Sequence, residues 1–196
     1  LMKQALLITA IVWMWVTGCG LFCAHAVESS YPLVAEGEFF DIYADPRIDL
    51  ESLLSRINFD YFYQLEMIGP VKEAGQTPSP RQVLAKTLDG IYLEVCDTLG
   101  IGLYSFHGKL KIFPDQQSLS DEYRALFQSD FTERSFYFHE TNTLYVSAAD
   151  LTVGIIVHEI AHVVMSHYFV VPPSAKLQEI LSGYVEYHFR KQLGTL

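Results

Sequence analysis

An apolar stretch of this chain contains His158-Glu159-Ile160-Ala161-His162, in which two histidines stand four residues apart. On an α-helix, residues four apart lie on one face, so both imidazoles can reach a single metal ion. Glu159 follows one step round the helix, where its carboxylate can hold and deprotonate a metal-bound water instead of ligating the metal. The spacing therefore predicts a helix that carries a metal site.

The residues around this motif favour a helix that is buried everywhere except on its metal face. Residues 154–157 and 163–165 carry no charge. Ser147 and Asp150 predict a capping box at the start of the helix, and the two prolines at 172 and 173 predict its end. We therefore expect a helix over residues 148–168. Its two histidines and one glutamate would be costly in apolar surroundings without a metal.

A second helix, predicted after the prolines at residues 174–187, offers a further ligand. A tetrahedral zinc site needs a third protein ligand and keeps its fourth position for water. Glu179 and Glu186 lie seven residues apart on this helix and so share a face. From the residues alone, either carboxylate is a candidate.

Together with the motif, Glu179-Ile180-Leu181-Ser182 resembles the Glu-x-x-Ala element of the gluzincin metallopeptidases. In that family the third zinc ligand is a glutamate on the helix that follows HExxH. The resemblance implies a zinc site formed by His158, His162 and Glu179, with Glu186 as the alternative third ligand.

The resemblance also implies an activity, which is the hydrolysis of peptide bonds in peptide or protein substrates. Glu159 would be the general base of a zinc metallopeptidase, expected to be an endopeptidase, and a further donor would stabilise the oxyanion. Tyr187 and Tyr184 are the preferred candidates for that donor, and the other candidates are His167 and His188. The alternative function is a zinc-containing, non-catalytic binding or scaffold module of the cell envelope.

The remaining pattern predicts an α/β (α+β) fold. Strands are expected at residues 37–43, 109–113, 136–138 and 143–146, and helices at 49–57, 80–99 and 118–128. This order resembles the N-terminal half of the gluzincin fold, which implies a zincin-like domain with a small mixed sheet. Its edge strand would lie next to the HExxH helix and pair with extended substrate, and 143–146 or the neighbouring 136–138 is expected to be that strand.

The N-terminal segment predicts export to the bacterial periplasm or cell envelope. Lys3 precedes an uncharged run over residues 4–26, as in a signal peptide. Ala24-His25-Ala26 would allow cleavage before Val27 and release of a soluble protein. Alternatively, residues 16–19 resemble a lipobox, which would make Cys19 a lipidated first residue and tether the protein to the membrane. A third alternative is that the segment stays uncleaved as a membrane anchor. In every case residues 27–196 form one predicted domain.

Charge and cysteine content restrict the partners further. The formal net charge is −10, and because Lys3 is the only charged residue before Val27, the rest of the chain carries −11. This acidity opposes binding to nucleic acid and to anionic lipid. Cys96 lies among apolar residues and is expected to be a buried core thiol, and no cysteine spacing typical of a metal site is present.

Overall fold

The computed structural model describes residues 31–57 and 78–194. These residues form a five-stranded mixed sheet with helices packed against it, which confirms the predicted mixed α/β class. In chain order the elements are β1 (Leu33–Glu36), β2 (Phe40–Ala44), α1 (Leu50–Ile57), α2 (Pro80–Leu99), β3 (Gly108–Phe113), α3 (Gln116–Phe127), β4 (Ser135–Phe138), β5 (Thr143–Ser147), α4 (Val153–Tyr168) and α5 (Ala175–Gln192). A short 3₁₀ turn, His139–Thr141, joins β4 to β5.

The strand order in the sheet is β1-β2-β3-β5-β4. The three inner strands are mutually parallel, whereas β1 and β4 pair antiparallel at the two edges. The expectation that residues 143–146 form an edge is therefore wrong, since β5 pairs with β3 on one side and with β4 on the other. The strand predicted at residues 136–138 is the edge strand, and it contacts α4.

The two faces of the sheet are covered differently. Alternate residues point to opposite faces of a strand, and in β5 Leu144 and Val146 join the main core, whereas Tyr145 joins a smaller cluster. The main core is shared with the long helices α2 and α4. The smaller cluster contains Phe113 of β3 and Leu119 of α3. The metal motif thus lies on a helix that is fixed against the larger core.

Helix α2 agrees with its sequence prediction at both ends. Ser79 caps the N-terminus in a capping box with Gln82, and Pro80 takes the first helical position. Gly100 ends the helix in the left-handed conformation, with φ 65°, which glycine adopts without the Cβ penalty. Cys96 is buried in this helix, as predicted, and burial raises the pKa of its thiol.

Some element starts differ from the predictions, and one strand was not predicted. Helix α4 begins at Val153 rather than at residue 148, because Thr152 is its cap and accepts a hydrogen bond from the Ile155 N–H at 3.4 Å. The predicted capping box is absent there, since Ser147 ends β5 and its hydroxyl donates to Asp150. Strand β2 begins at Phe40 rather than at residue 37, and β1 was not predicted at all.

Some predictions concern residues that the structure does not describe. The predicted N-terminal leader, including Cys19, lies outside the described residues. Within residues 31–57 and 78–194, no helix combines the length and the apolarity that crossing a bilayer requires.

Candidate metal centre

Helix α4 exposes a narrow polar strip on an otherwise buried surface. Val157, Ile160 and Ala161 are fully buried, as are the valines and methionine that follow at positions 163–165. The side chains of His158 and His162 keep 25% and 19% of their surface exposed. The helical period therefore turns the two histidines to solvent while their neighbours fill the core.

Helix α5 follows α4 after a short connection and packs against it. Ser182, Val185 and Phe189 are completely buried on its inner face. The small side chain of Ser182 allows the two helices to approach closely. Glu179 lies one turn before Ser182 and thereby faces the histidines of α4.

The two histidines and Glu179 form a compact group of donor atoms. The Nε2 atoms of His158 and His162 are 3.2 Å apart. The Glu179 carboxylate oxygens lie 3.5 Å from Nε2 of His158 and 3.4 Å from Nε2 of His162. Ligands about 2.0–2.2 Å from a tetrahedral ion are about 3.3–3.6 Å apart. The three side chains are therefore spaced to hold one metal ion.

Glu186, the alternative third ligand, occupies a different place. Its Oε2 atom lies 3.6 Å from Nδ1 of His158, the ring nitrogen that faces away from the donor group. Arg190 lies 3.7 Å from the other oxygen of the same carboxylate. Glu179 therefore faces the Nε2 atoms of both histidines, whereas Glu186 lies beside Nδ1 of His158.

Glu159 lines the same cavity, which has a volume of about 450 Å³. The Ser135 hydroxyl donates a hydrogen bond of 2.8 Å to its Oε1 atom. Because Ser135 is the first residue of β4, the edge strand holds this carboxylate directly. The second oxygen of Glu159 takes no part in that bond and can bind a water molecule.

The cavity includes residues that the sequence did not single out. Glu133, Arg134 and Ser135 line it from the segment that leads into β4. Among the described residues that line the cavity, Arg134 is the only arginine or lysine. No local pattern marks these three residues, since only the pairing of β4 with β5 brings them beside α4.

The predicted oxyanion donors are not among the residues that line the cavity. Tyr184 and Tyr187 are 53% and 52% exposed on the outer side of α5, and His188 approaches Gln192. His167, near the C-terminal end of α4, forms a short hydrogen bond with the Tyr137 hydroxyl. Burial and the neighbouring His139 lower the pKa of His167.

Replacement of Ser135 tests whether its hydroxyl holds the Glu159 carboxylate. We expect Ser135→Ala to lower the rate of any reaction that uses Glu159 as base by about threefold to tenfold, because a hydrogen bond worth about 1 kcal/mol is lost. Zinc affinity should not change, since Ser135 does not contact the ligand atoms. Ser135→Thr keeps the hydroxyl and is the matched control. Equal rates for the alanine variant and the wild type would show that the contact has no role.

Comparisons of the chain with protein-family models, with characterised proteins and with solved structures gave no significant match.

Proposed function

We propose that this protein is a zinc-dependent peptidase in which Glu159 is the general base. The observation that carries the proposal is the spacing of His158, His162 and Glu179, with the Glu159 carboxylate in the same cavity. A buried structural site would not need an adjacent carboxylate outside the ligand set. A hydrolytic site needs one to accept a proton from water.

Zinc fits the donor set better than other common divalent ions. Two imidazole nitrogens and one carboxylate are the ligands of several catalytic zinc sites, whereas magnesium and calcium prefer oxygen ligands alone. The group contains three protein ligands and opens to the cavity, so the fourth position is accessible to water and substrate.

The chain's own residues supply the proton transfers and the binding of substrate. Bound zinc would polarise the scissile carbonyl and acidify water. Glu159 accepts the proton of the attacking water at the oxygen that Ser135 does not contact, and then passes this proton to the leaving amine. Arg134, at the wall of the cavity, is positioned to stabilise negative charge on the substrate.

An extended peptide can reach this site along β4. Within residues 31–57 and 78–194 that strand is an edge of the sheet, with no strand on its outer side, and its first residue already contacts Glu159. Addition of a peptide as a further strand would bring its backbone past the metal centre. Together with the predicted leader, this supports an exported peptidase of the periplasm or cell envelope that acts on peptide or protein substrates.

Removal of the metal is the first test. We expect the purified protein to hydrolyse members of a quenched fluorescent peptide library, to lose this activity in a strong chelator and to regain it when zinc is added. Zinc content, measured by elemental mass spectrometry, should be about one ion per chain. A protein that binds no zinc after reconstitution would contradict the proposal.

A non-catalytic binding module is the second candidate, and exposed apolar side chains on α5 favour it. Leu177, Ile180, Tyr184 and Tyr187 recur at intervals of three and four residues on one face, and each is 45% exposed or more. A surface of this kind is suited to packing against a partner helix. On this alternative the protein binds zinc but cleaves nothing in the library, and Glu159→Gln leaves partner binding intact.

A further inference from the structure

We infer that Glu186 and Gln178 are positioning residues that fix the rings of the two histidines, so that both Nε2 atoms face the metal. The inference rests on the proposed zinc site and assigns a role to two α5 residues that are not ligands. A histidine that binds a metal through one ring nitrogen usually donates its other N–H to an acceptor, which fixes the ring and its tautomer.

Glu186 is the acceptor beside His158. Its Oε2 atom lies 3.6 Å from Nδ1, so a small rotation of either side chain gives a hydrogen bond. Arg190, one turn further along α5, lies 3.7 Å from Oε1 and holds the carboxylate from the other side. A carboxylate that accepts the Nδ1 proton leaves Nε2 as a lone-pair donor and increases its basicity.

Helix α4 leaves space for this carboxylate at Gly154. A Cβ atom at position 154 would lie 3.1 Å from Oε1 of Glu186 and 3.5 Å from its Cγ. The 3.1 Å contact is tighter than an ordinary van der Waals separation, so Oε1 of Glu186 would have to shift by a few tenths of an ångström, whereas the 3.5 Å contact is an ordinary one. The absence of a side chain at Gly154 therefore allows Glu186 to lie against α4, one turn before His158.

Gln178 is the acceptor beside His162, as Glu186 is beside His158. Its Oε1 atom lies 3.4 Å from Nδ1 of His162. Its amide nitrogen donates to the carbonyl oxygen of Pro173 at 2.8 Å. Because Pro173 accepts from the amide nitrogen, the amide oxygen is the atom that faces His162. The histidine can only donate to that oxygen, so its proton lies on Nδ1 and Nε2 is available to the metal.

The affinity for zinc tests these roles without any assay of hydrolysis. For the full-length protein, competition with a chromophoric chelator should show a loss of about 10- to 100-fold for Glu186→Ala and for Gln178→Ala. Glu186→Gln keeps an oxygen acceptor and should bind zinc more tightly than the alanine variant. In each alanine variant, cobalt(II) should still give the absorption of a tetrahedral site, because the three ligands remain.

Two glycine substitutions provide a matched pair. Gly154→Ala shifts the Glu186 carboxylate by a few tenths of an ångström and should weaken zinc binding, though less than Glu186→Ala. Gly183→Ala is the control, since a Cβ atom there meets nothing within 4 Å. Both substitutions favour helix formation, so equal melting curves in chelator together with a lower zinc affinity in the first variant alone would assign the loss to the displaced carboxylate.

The outcomes separate this inference from the proposed function. Absence of zinc in the wild type would overturn both. Wild-type affinity in Glu186→Ala and Gln178→Ala would overturn the inference alone and leave the peptidase proposal standing. Loss of the tetrahedral cobalt spectrum in Glu186→Ala would also overturn the inference, because it would identify Glu186 as a ligand.

Discussion

Glu159→Gln should lower peptide hydrolysis by about 100- to 10,000-fold, the usual contribution of a general base, while one zinc stays bound. The amide has the size of the carboxylate and can still accept the Ser135 hydrogen bond, but it cannot take a proton from water. The measurement is kcat/KM on the best peptide of a library, together with zinc content. If the proposed mechanism is correct, kcat/KM falls in this variant while its zinc content stays the same.

Glu140→Gln is the matched control for that experiment. Glu140 lies in the exposed turn between β4 and β5 and does not line the cavity. Its replacement removes the same charge and should leave both activity and zinc content unchanged. Undiminished hydrolysis by Glu159→Gln would exclude Glu159 as the base and would end the proposed mechanism.

Glu179→Ala should have the largest effect on metal binding. Loss of a metal ligand should lower zinc affinity more than loss of a residue that only hydrogen-bonds to a ligating histidine. We therefore expect zinc affinity to fall by more than about 100-fold. Thermal unfolding of the metal-free protein should change little, because the Glu179 side chain is 63% exposed and supports no packing. Zinc titration and a melting curve in chelator measure the two quantities separately.

Glu133→Ala is the matched control, because it removes another carboxylate from the same cavity and leaves the other lining residues in place. Glu133 lines the same cavity, but it is not part of the group that could hold the metal, so zinc affinity should stay near that of the wild type. If Glu179→Ala kept its zinc while Glu186→Ala lost it completely, Glu186 would be the third ligand. The assignment of roles on α5 would then be reversed.

Local signals in the sequence were sufficient for part of this structure. The ends of α2 could be predicted because Pro80 and Gly100 act through backbone conformation at their own positions. The start of α4 could not, since Ser147 and Asp150 have the residue types of a cap but belong to the end of β5 and the loop that follows. Strand β1 is only four residues long and half of it is exposed, so it leaves little hydrophobic pattern.

The candidate site also combines residues that the local sequence could predict with a contact that it could not. His158, Glu159 and His162 are close in sequence, and their helical spacing alone brings them together. The contact between Ser135 and Glu159 depends instead on the order of the strands, which places β4 outside β5 and beside α4. That order results from packing over the whole sheet, so no pattern near Ser135 could indicate its role.

Helices α4 and α5 are consecutive, and all the candidate metal ligands belong to this hairpin. A metal ion bound there would link α5 directly to α4, in addition to the short loop that joins the two helices. Without the ion this link between the two helices is lost. Helix α5 is then the element we expect to open first, exposing Val185 and Phe189 to proteases. The abundance of the protein, and not its activity alone, would follow the supply of zinc.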